Sequence, residues 1–298
     1  MLSINTNTAS MSAVNAINKS SASLSTSMER LATGNRINSS ADDAAGKQIA
    51  SRLTAQSSGM GVALSNIQDA TAMLQTADSM FDEMTDVLGR MKDLSTQAAN
   101  GTYSSDDLQA MQDEYDELGQ QMSDMLQNTT YGGTNLFGTA ATSNTGVSGL
   151  FQSSVTFQVG AESSDTMTVN ISSQLGDLVT DLDKVSKSFS SDNSSNVSAS
   201  GSELTASAGA ANNMISTIQT AMDDVSKIQS KLGASINRLN DTAANLTSMQ
   251  DNTEVAIGNI MDTDYATEAS NMTQQQVLMQ TGITMLKQSN SMSSMVSS

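Results

Sequence analysis

From Ala63 the apolar positions fall at Ala63, Ile67, Ala70, Leu74, Ala77, Phe81, Met84, Leu88 and Met91, alternating steps of four and three. That spacing predicts one long helix with a single packing seam. After the turn signal Asn100-Gly101 the alternation resumes at Leu108, Met111, Tyr115, Leu118, Met122 and Met125, which predicts a second helix folded back on the first. A third seam starts at Leu204 and runs through Ala208, Ala211, Ile215, Ile218, Met222, Val225, Gln229, Leu232, Ile236, Leu239 and Leu246 to Ile260. At a rise of about 1.5 Å per residue this helix would reach roughly 85 Å. Ser200 with Glu203 predicts a capping box at its start, and Gln229, Gln250 and Thr253 interrupt the seam as register-setting polar residues do.

Between the second and third seams the period changes to two. Val155, Phe157 and Val159, then Met167, Val169 and Ile171, alternate around the polar "GAESSD" and predict a β-hairpin. Leu175, Leu178, Leu182 and Val185 predict a short helix, and "SKSFSSDNSSNVSASG" an exposed loop. At the N-terminus Met11, Val14, Ile17, Leu24, Met28 and Leu31 fall at helical spacings; at the C-terminus Met279, Ile283 and Leu286 do so, with Met285, Met292 and Val296 on an adjacent stripe. Isolated helices with so little bulk are marginal in water, so these ends are expected to order only against a partner or each other. The fold class is therefore mainly α: an elongated antiparallel helical bundle or coiled coil with long helices, one β-hairpin, and paired N- and C-terminal helices.

Composition agrees. The chain has no Pro, no Trp and 21 Met, which permits uninterrupted helices and supplies flexible bulk for narrow seams. With 13 basic against 31 acidic residues and a net charge of −18, a phosphate-tracking surface for nucleic acid is excluded. No run of eighteen apolar residues occurs, so no membrane span is expected, and the N-terminus "MLSINTNTASMSAVNAINKS" lacks the pattern of an ordinary cleaved signal. The sequence contains no Cys, which rules out disulfides and thiolate metal ligands. It also contains no His, which closes the Ser-His-Asp and zinc-hydrolase routes, and no Walker, G-x-S-x-G or G-x-G-x-x-G pattern accompanies its glycines. No cofactor, metal or catalytic residue is expected. The acids Asp106, Asp107, Asp113, Glu114, Asp116 and Glu117 lack the loop spacing and central Gly of an EF-hand and read as a solvated helix face.

Adjacent carboxylates at Asp42 and Asp43 raise the question of acid–base chemistry, but they stand where a helix begins. Ser40 with Asp43 resembles a capping pair, and helix formers follow. The stretch reads as a structural joint. "IMDTDYATE", with Asp262, Asp264 and Tyr265, marks a second joint where the long third seam stops.

With both joints and both ends in view, the chain resembles the bacterial flagellins over nearly its whole length. "ERLATGNRINSSADDAAGKQIASRL" matches the family's N-terminal motif, and "NIMDTDYATEASNMTQQQVLMQTGITMLKQSN" its C-terminal one. "NTTYGGTNLF", "VTFQVGAESSDTMTVNI" and "AMQDEYDELG" are also similar, the last most of all to lateral, or secondary, flagellins with a reduced middle. The resemblance implies an inner terminal-helix domain at residues 1–40 with 265–298, and a rod-like helical domain at 41–175 with 201–264. Residues 176–200 would be a reduced exposed insertion. It places Arg36, Asn38, Asp42, Asp43, Asp262, Asp264 and Tyr265 at the joint between domains, and Leu24, Met28, Leu31, Met279, Ile283 and Leu286 in the assembly helices.

The implied function is that of a structural subunit, not an enzyme, which polymerises with itself into an extracellular flagellar filament for swimming or swarming. Export would proceed without signal cleavage, with an export chaperone, a cap protein and hook–filament junction proteins as partners. Small shifts of the hairpin at 155–171 would accompany switching between helical forms. Leu88, Arg90, Leu94, Gln97 and Glu114 stand where flagellins contact the host Toll-like receptor for flagellin, with Gly89 in place of the usual Gln. The chain ends "QSNSMSSMVSS", without the Pro and terminal leucines common in the family. A hook–filament junction protein, which shares such ends but forms a finite ring, is the alternative; the length of both motifs and the hairpin weigh against it.

Overall fold

In the computed structural model, the described residues are 7–138, 149–189, 201–205 and 208–297. Six α-helices account for most of them: α1 Thr8–Thr33, α2 Ala44–Ala98, α3 Ser105–Asn128, α4 Ser172–Val185, α5 Ala208–Met261 and α6 Tyr265–Ser297. Between α3 and α4 lie two small antiparallel hairpins, β1 Thr130–Tyr131 with β2 Thr134–Asn135, and β3 Val155–Gln158 with β4 Thr166–Val169. The chain divides into two compact units, Met1–Ser58 with Met249–Ser298, and Gly59–Ser248.

The Gly59–Ser248 unit holds the larger core. Every predicted seam residue of α2 from Ala63 to Met91 is buried. A second stripe, Met60, Met73, Met80, Val87 and Leu94, is buried beside it, because elements cover α2 on more than one side. Full burial of each such side chain contributes about 1.5–3 kcal/mol. Phe81 meets Phe137 edge-on at 5.1 Å, and Phe137 meets Phe151 at 5.7 Å, so these three aromatics anchor the chain that follows α3.

The third seam differs in register. Ala211, Ile218, Val225, Leu232 and Leu239 are buried as expected, but the positions between them are Met214, Ala221, Ile228 and Ser235, not Ile215, Met222, Gln229 and Ile236. Small residues at 221 and 235 turned inward allow close approach, while Met222 and Ile236 flank the core. Gln229 thus lies beside the seam, where its amide donates to Asp82 Oδ1 at 2.7 Å. Ser200 of the expected capping box lies outside the described residues; α5 begins at Ala208, and Glu203 accepts from the Gly201 amide and from Gln112.

The β3–β4 hairpin pairs Val155 with Val169, Thr156 with Thr168, Phe157 with Met167 and Gln158 with Thr166, so its alternation buries Met167 and Val169 on one face. The β1–β2 hairpin closes through Gly132 and Gly133 at φ of 57° and 82°, the left-handed pair that a two-residue hairpin turn requires. The expectation of an exposed segment at 176–200 is corrected for its first part. Leu178, Leu182, Val185, Ser186 and Phe189 are buried, because α4 and the 3-10 turn Lys187–Phe189 cover the core. The rest of that segment lies outside the described residues.

A polar clasp holds this region to α3. Tyr115 Oη donates to the Val185 carbonyl at 2.8 Å. Gln112 Nε2 donates to Glu203 Oε2 at 2.6 Å and Asp116 Oδ1 at 2.9 Å, its Oε1 accepts from the Leu204 amide at 2.7 Å, and Lys187 pairs with Asp116. Gly119 completes the fit: a Cβ there would lie 2.0 Å from Ser186 Oγ.

Candidate assembly surface and terminal joint

Within the terminal unit α1 and α6 run antiparallel. Asn7 donates to Ser289 Oγ at 3.1 Å, Ser10 Oγ to Asn290 Oδ1 at 3.3 Å, and Arg30 faces Glu268 at 3.8 Å. Asn7 also caps α1, accepting from the Ser10 amide at 3.0 Å. The less exposed row of α1 is Ser10, Ala13, Ile17, Ser20, Leu24, Ser27 and Leu31; that of α6 is Glu268, Met272, Gln275, Met279, Gly282, Leu286 and Ser289. Small residues recur along the α1 row, and Gly282 and Ser289 do so toward the end of the α6 row, which permits close helix spacing there.

This pairing sorts the six residues expected in the assembly helices. Leu24, Leu31, Met279 and Leu286 lie in the mutual row, whereas Met28 and Ile283 are exposed. With them Met11 and Val14 on α1, and Val277, Leu278 and Met285 on α6, carry large apolar side chains into solvent. All of these side chains stand outside the mutual row of the two helices. Sequence spacing had singled out the stripe of Met285, but Val277 and Leu278 carried no periodic signal.

The joint is built from backbone pairing and helix caps. Gly34, at φ 77°, ends α1. The next residues pair antiparallel with the chain after α5: Arg36 N donates to Met261 O at 2.6 Å, Thr263 N to Gly34 O at 2.9 Å, and Asn35 is bridged to Asp262. The Arg36 guanidinium donates to the Ile260 carbonyl at 2.7 Å, placing a cation on the last turn of α5. Asn38 Nδ2 donates to Asn35 O at 3.2 Å. Tyr265 is largely exposed, its hydroxyl 3.1 Å from where a Gly34 Cβ would stand.

Asp42 and Asp43 have separate structural tasks, and the expected pair of Ser40 with Asp43 is not the cap. Asp43 Oδ1 alone accepts from the Ala45 and Gly46 amides at 3.0 and 2.9 Å, because α2 begins at Ala44. Asp42 Oδ2 accepts from Ser39 N at 2.8 Å, Ser39 Oγ at 3.0 Å and Asn38 N at 3.2 Å; the Ser39 bonds lower its pKa. Asp264 caps α6, and bonds from the Thr267 hydroxyl, then the Ala266 amide, lower its pKa as well. All the joint residues lie within the terminal unit, whose borders fall at Ser58 and Met249.

In the other unit, Leu88 and Leu94 belong to the core, while Arg90, Gln97 and Glu114 are exposed. Arg90 Nε and Nη2 both donate to Glu114 Oε1, at 2.8 and 2.6 Å. The acids of α3 have separate partners or are solvated: Asp107 forms a capping box with Ser104, whose hydroxyl lowers its pKa, Glu114 pairs with Arg90, and Asp116 with Lys187 and Gln112. Among the described residues no cluster of three metal-ligating side chains occurs, and no helix is long and apolar enough to cross a membrane.

Comparison with known proteins places this architecture. The family model described as bacterial flagellin N-terminal helical region matches residues 4–142, and that of the bacterial flagellin C-terminal helical region matches 215–298. Flagellin A of Vibrio anguillarum is 30% identical, with 96% of each chain covered. Polar flagellin C of Vibrio parahaemolyticus serotype O3:K6 (strain RIMD 2210633) is 31% identical at the same coverage. The crystal structure of Bacillus cereus flagellin is 25% identical, with a TM-score of 0.47 over 65% of this chain and 94% of that one. Family-model matches at both ends of the chain and relatives covered over nearly their whole length define a structural filament protein. The chain belongs to the bacterial flagellin family. It is a structural subunit that self-assembles into the flagellar filament for motility.

Proposed function

We propose that assembly runs through the outer face of the α1–α6 pair, with residues 1–40 and 265–298 as the inner part of the subunit and 41–175 with 201–264 as the rod. The observation that carries this reading is the exposure of Met11, Val14, Met28, Val277, Leu278, Ile283 and Met285 on two helices that already satisfy each other along a separate row. A contact that does not close on itself propagates as a helical polymer, and burial of these side chains drives it. The Asp42, Asp43 and Asp264 caps with the Arg36 clip act as the joint that holds the ends in register.

The filament is extracellular, and the likeness to flagellins supports export without signal cleavage. Its work is mechanical and not catalytic. An export chaperone, a cap protein and hook–filament junction proteins are the further partners, and shifts of the β3–β4 hairpin accompany changes of filament form. Arg90, Gln97 and Glu114 are the exposed side chains through which a host Toll-like receptor would read the subunit; Leu88 and Leu94 support them from the core.

Seeded polymerisation followed by negative-stain electron microscopy tests the main proposal. Wild-type chain is expected to extend seeds into long filaments, and Leu278→Asp to leave them unextended while remaining helical. Normal growth of Leu278→Asp and Met285→Asp filaments would move the contact to another surface.

A further inference from the structure

The fully buried and the exposed methionines divide between the two units, while Met111, Met125, Met222, Met261, Met272 and Met279 are half-buried. Met60, Met73, Met80, Met84, Met91, Met122, Met167 and Met214 are all 9% exposed or less, and all belong to Gly59–Ser248. Met11, Met28, Met249 and Met285 are 61, 48, 45 and 64% exposed, and all belong to the terminal unit. The chain contains no Cys, His or Trp, so exposed thioethers are its foremost targets for two-electron oxidants. Three of the four, Met11 and Met28 on α1 and Met285 on α6, are exposed at positions outside the mutual row of the two helices.

We propose that Met11, Met28 and Met285 are separate oxidation targets whose conversion to sulfoxide switches off polymerisation of the free subunit while leaving the Gly59–Ser248 unit folded. The inference rests on the reading that this outer face makes the subunit contacts. The oxidant class is a peroxide. With hydrogen peroxide the thioether sulfur attacks one oxygen, the O–O bond breaks, an S–O bond forms and water leaves; sulfur loses two electrons and the peroxide gains them. The sulfoxide places a strong acceptor dipole where an apolar side chain must be desolvated, and burying such a group without a donor is unfavourable. Core methionines escape because their sulfur atoms are covered. Reduction by the two epimer-specific methionine sulfoxide reductases would reverse the change. Assembly would protect the same residues, since the contact that sulfoxides disrupt also shields the thioethers.

The test uses the full chain treated with graded hydrogen peroxide, peptide mass spectrometry to order the oxidised sites, and seeded polymerisation as the readout. Met11, Met28, Met249 and Met285 are expected to oxidise about tenfold or more faster than Met60, Met84 and Met91, in keeping with accessibility control. Oxidised chain should fail to extend seeds, regain extension after treatment with both reductases, and keep its near-ultraviolet circular dichroism. The variant carrying Met11→Leu, Met28→Leu and Met285→Leu, whatever its own untreated rate of extension, should lose none of that rate after the same treatment, with Met249 still oxidised as the internal control.

Unchanged polymerisation of the oxidised chain overturns the proposal, as does an equal block in the triple variant. Should that variant not polymerise untreated, the reductase arm decides, and oxidised chain that stays inactive after its exposed sulfoxides are reduced overturns the proposal. Leu278→Asp separates the two readings. If it blocks extension while oxidation does not, the redox inference alone falls; if neither blocks, the outer face is not the contact and both fall.

Discussion

Gly282 of α6 faces Ile17 of α1 with no room for a side chain: a Cβ on Gly282 would lie 2.8 Å from Ile17 Cγ1. Glycine inside a helix costs about 0.5–1 kcal/mol relative to Ala, so close approach of the partner helix is what offsets it here. Gly282→Val is expected to force the pair apart at a cost of about 1–3 kcal/mol, the usual range for overpacking. The measurement is far-ultraviolet circular dichroism with seeded polymerisation. Reduced helicity and a higher critical concentration are expected, and wild-type values for both would show that the seam tolerates the added bulk.

Tyr115 makes one buried bond, to the Val185 carbonyl at 2.8 Å, and it holds the end of α4 to α3. Tyr115→Phe keeps the ring and leaves that carbonyl unpaired, which costs about 1–3 kcal/mol. Thermal unfolding should shift down by several degrees. Burial first, then the neighbouring Glu203 and Asp116 charges, hold the Tyr115 pKa well above its usual 10.0. The unfolded chain therefore releases this proton first, so stability is full below the unfolded pKa and declines as pH rises past it. Tyrosinate absorbance in wild type should show a late phase that coincides with unfolding and is missing in Tyr115→Phe.

Much of this was legible in the sequence because the hydrophobic period is long and unbroken. The α2 seam from Ala63 to Met91 and the presence of a hairpin around "GAESSD" follow from spacing alone, whereas its register does not. The α5 register did not, since Ala221 and Met222, or Ser235 and Ile236, are equally placed for a 3.5 period and only the facing surface selects the smaller one. The clasp of Gln112 with Glu203 was invisible because a polar residue beside a seam reads as solvated. The joint was legible as a place but not as a mechanism: Asp43, not Ser40, caps α2, and backbone pairing at Asn35 and Asp262 leaves no trace in residue type.

Asp42, Asp107 and Asp264 accept bonds from neighbouring hydroxyls and amides that lower their pKa values, so each contributes stability above its unfolded value near 3.8 and loses it as pH falls through the lower folded value. Asp78 acts oppositely, because burial and then the Asp82 charge raise its pKa, and its contribution worsens as pH rises from 3.8 through the folded value. Acid titration followed by circular dichroism should therefore show α6 of Asp264→Ala frayed at neutral pH and less sensitive to acid than wild type. Identical acid profiles for the two proteins would exclude Asp264 as a cap.

Arg90 and Glu114 pair on the surface while Leu88 and Leu94, close by in sequence, are sealed in the core, so substitutions here divide into two kinds. Arg90→Ala removes an exposed ion pair and should change stability by no more than about 1 kcal/mol, the range of surface salt bridges, with the difference vanishing at high salt. Leu94→Ala opens a cavity beside α2 and should cost about 2–5 kcal/mol. Chemical denaturation of both variants measures this directly. A loss of receptor signalling in Arg90→Ala would then report recognition of that side chain, whereas the same loss in Leu94→Ala would follow from unfolding, and a stability loss for Arg90→Ala as large as that for Leu94→Ala would contradict the division.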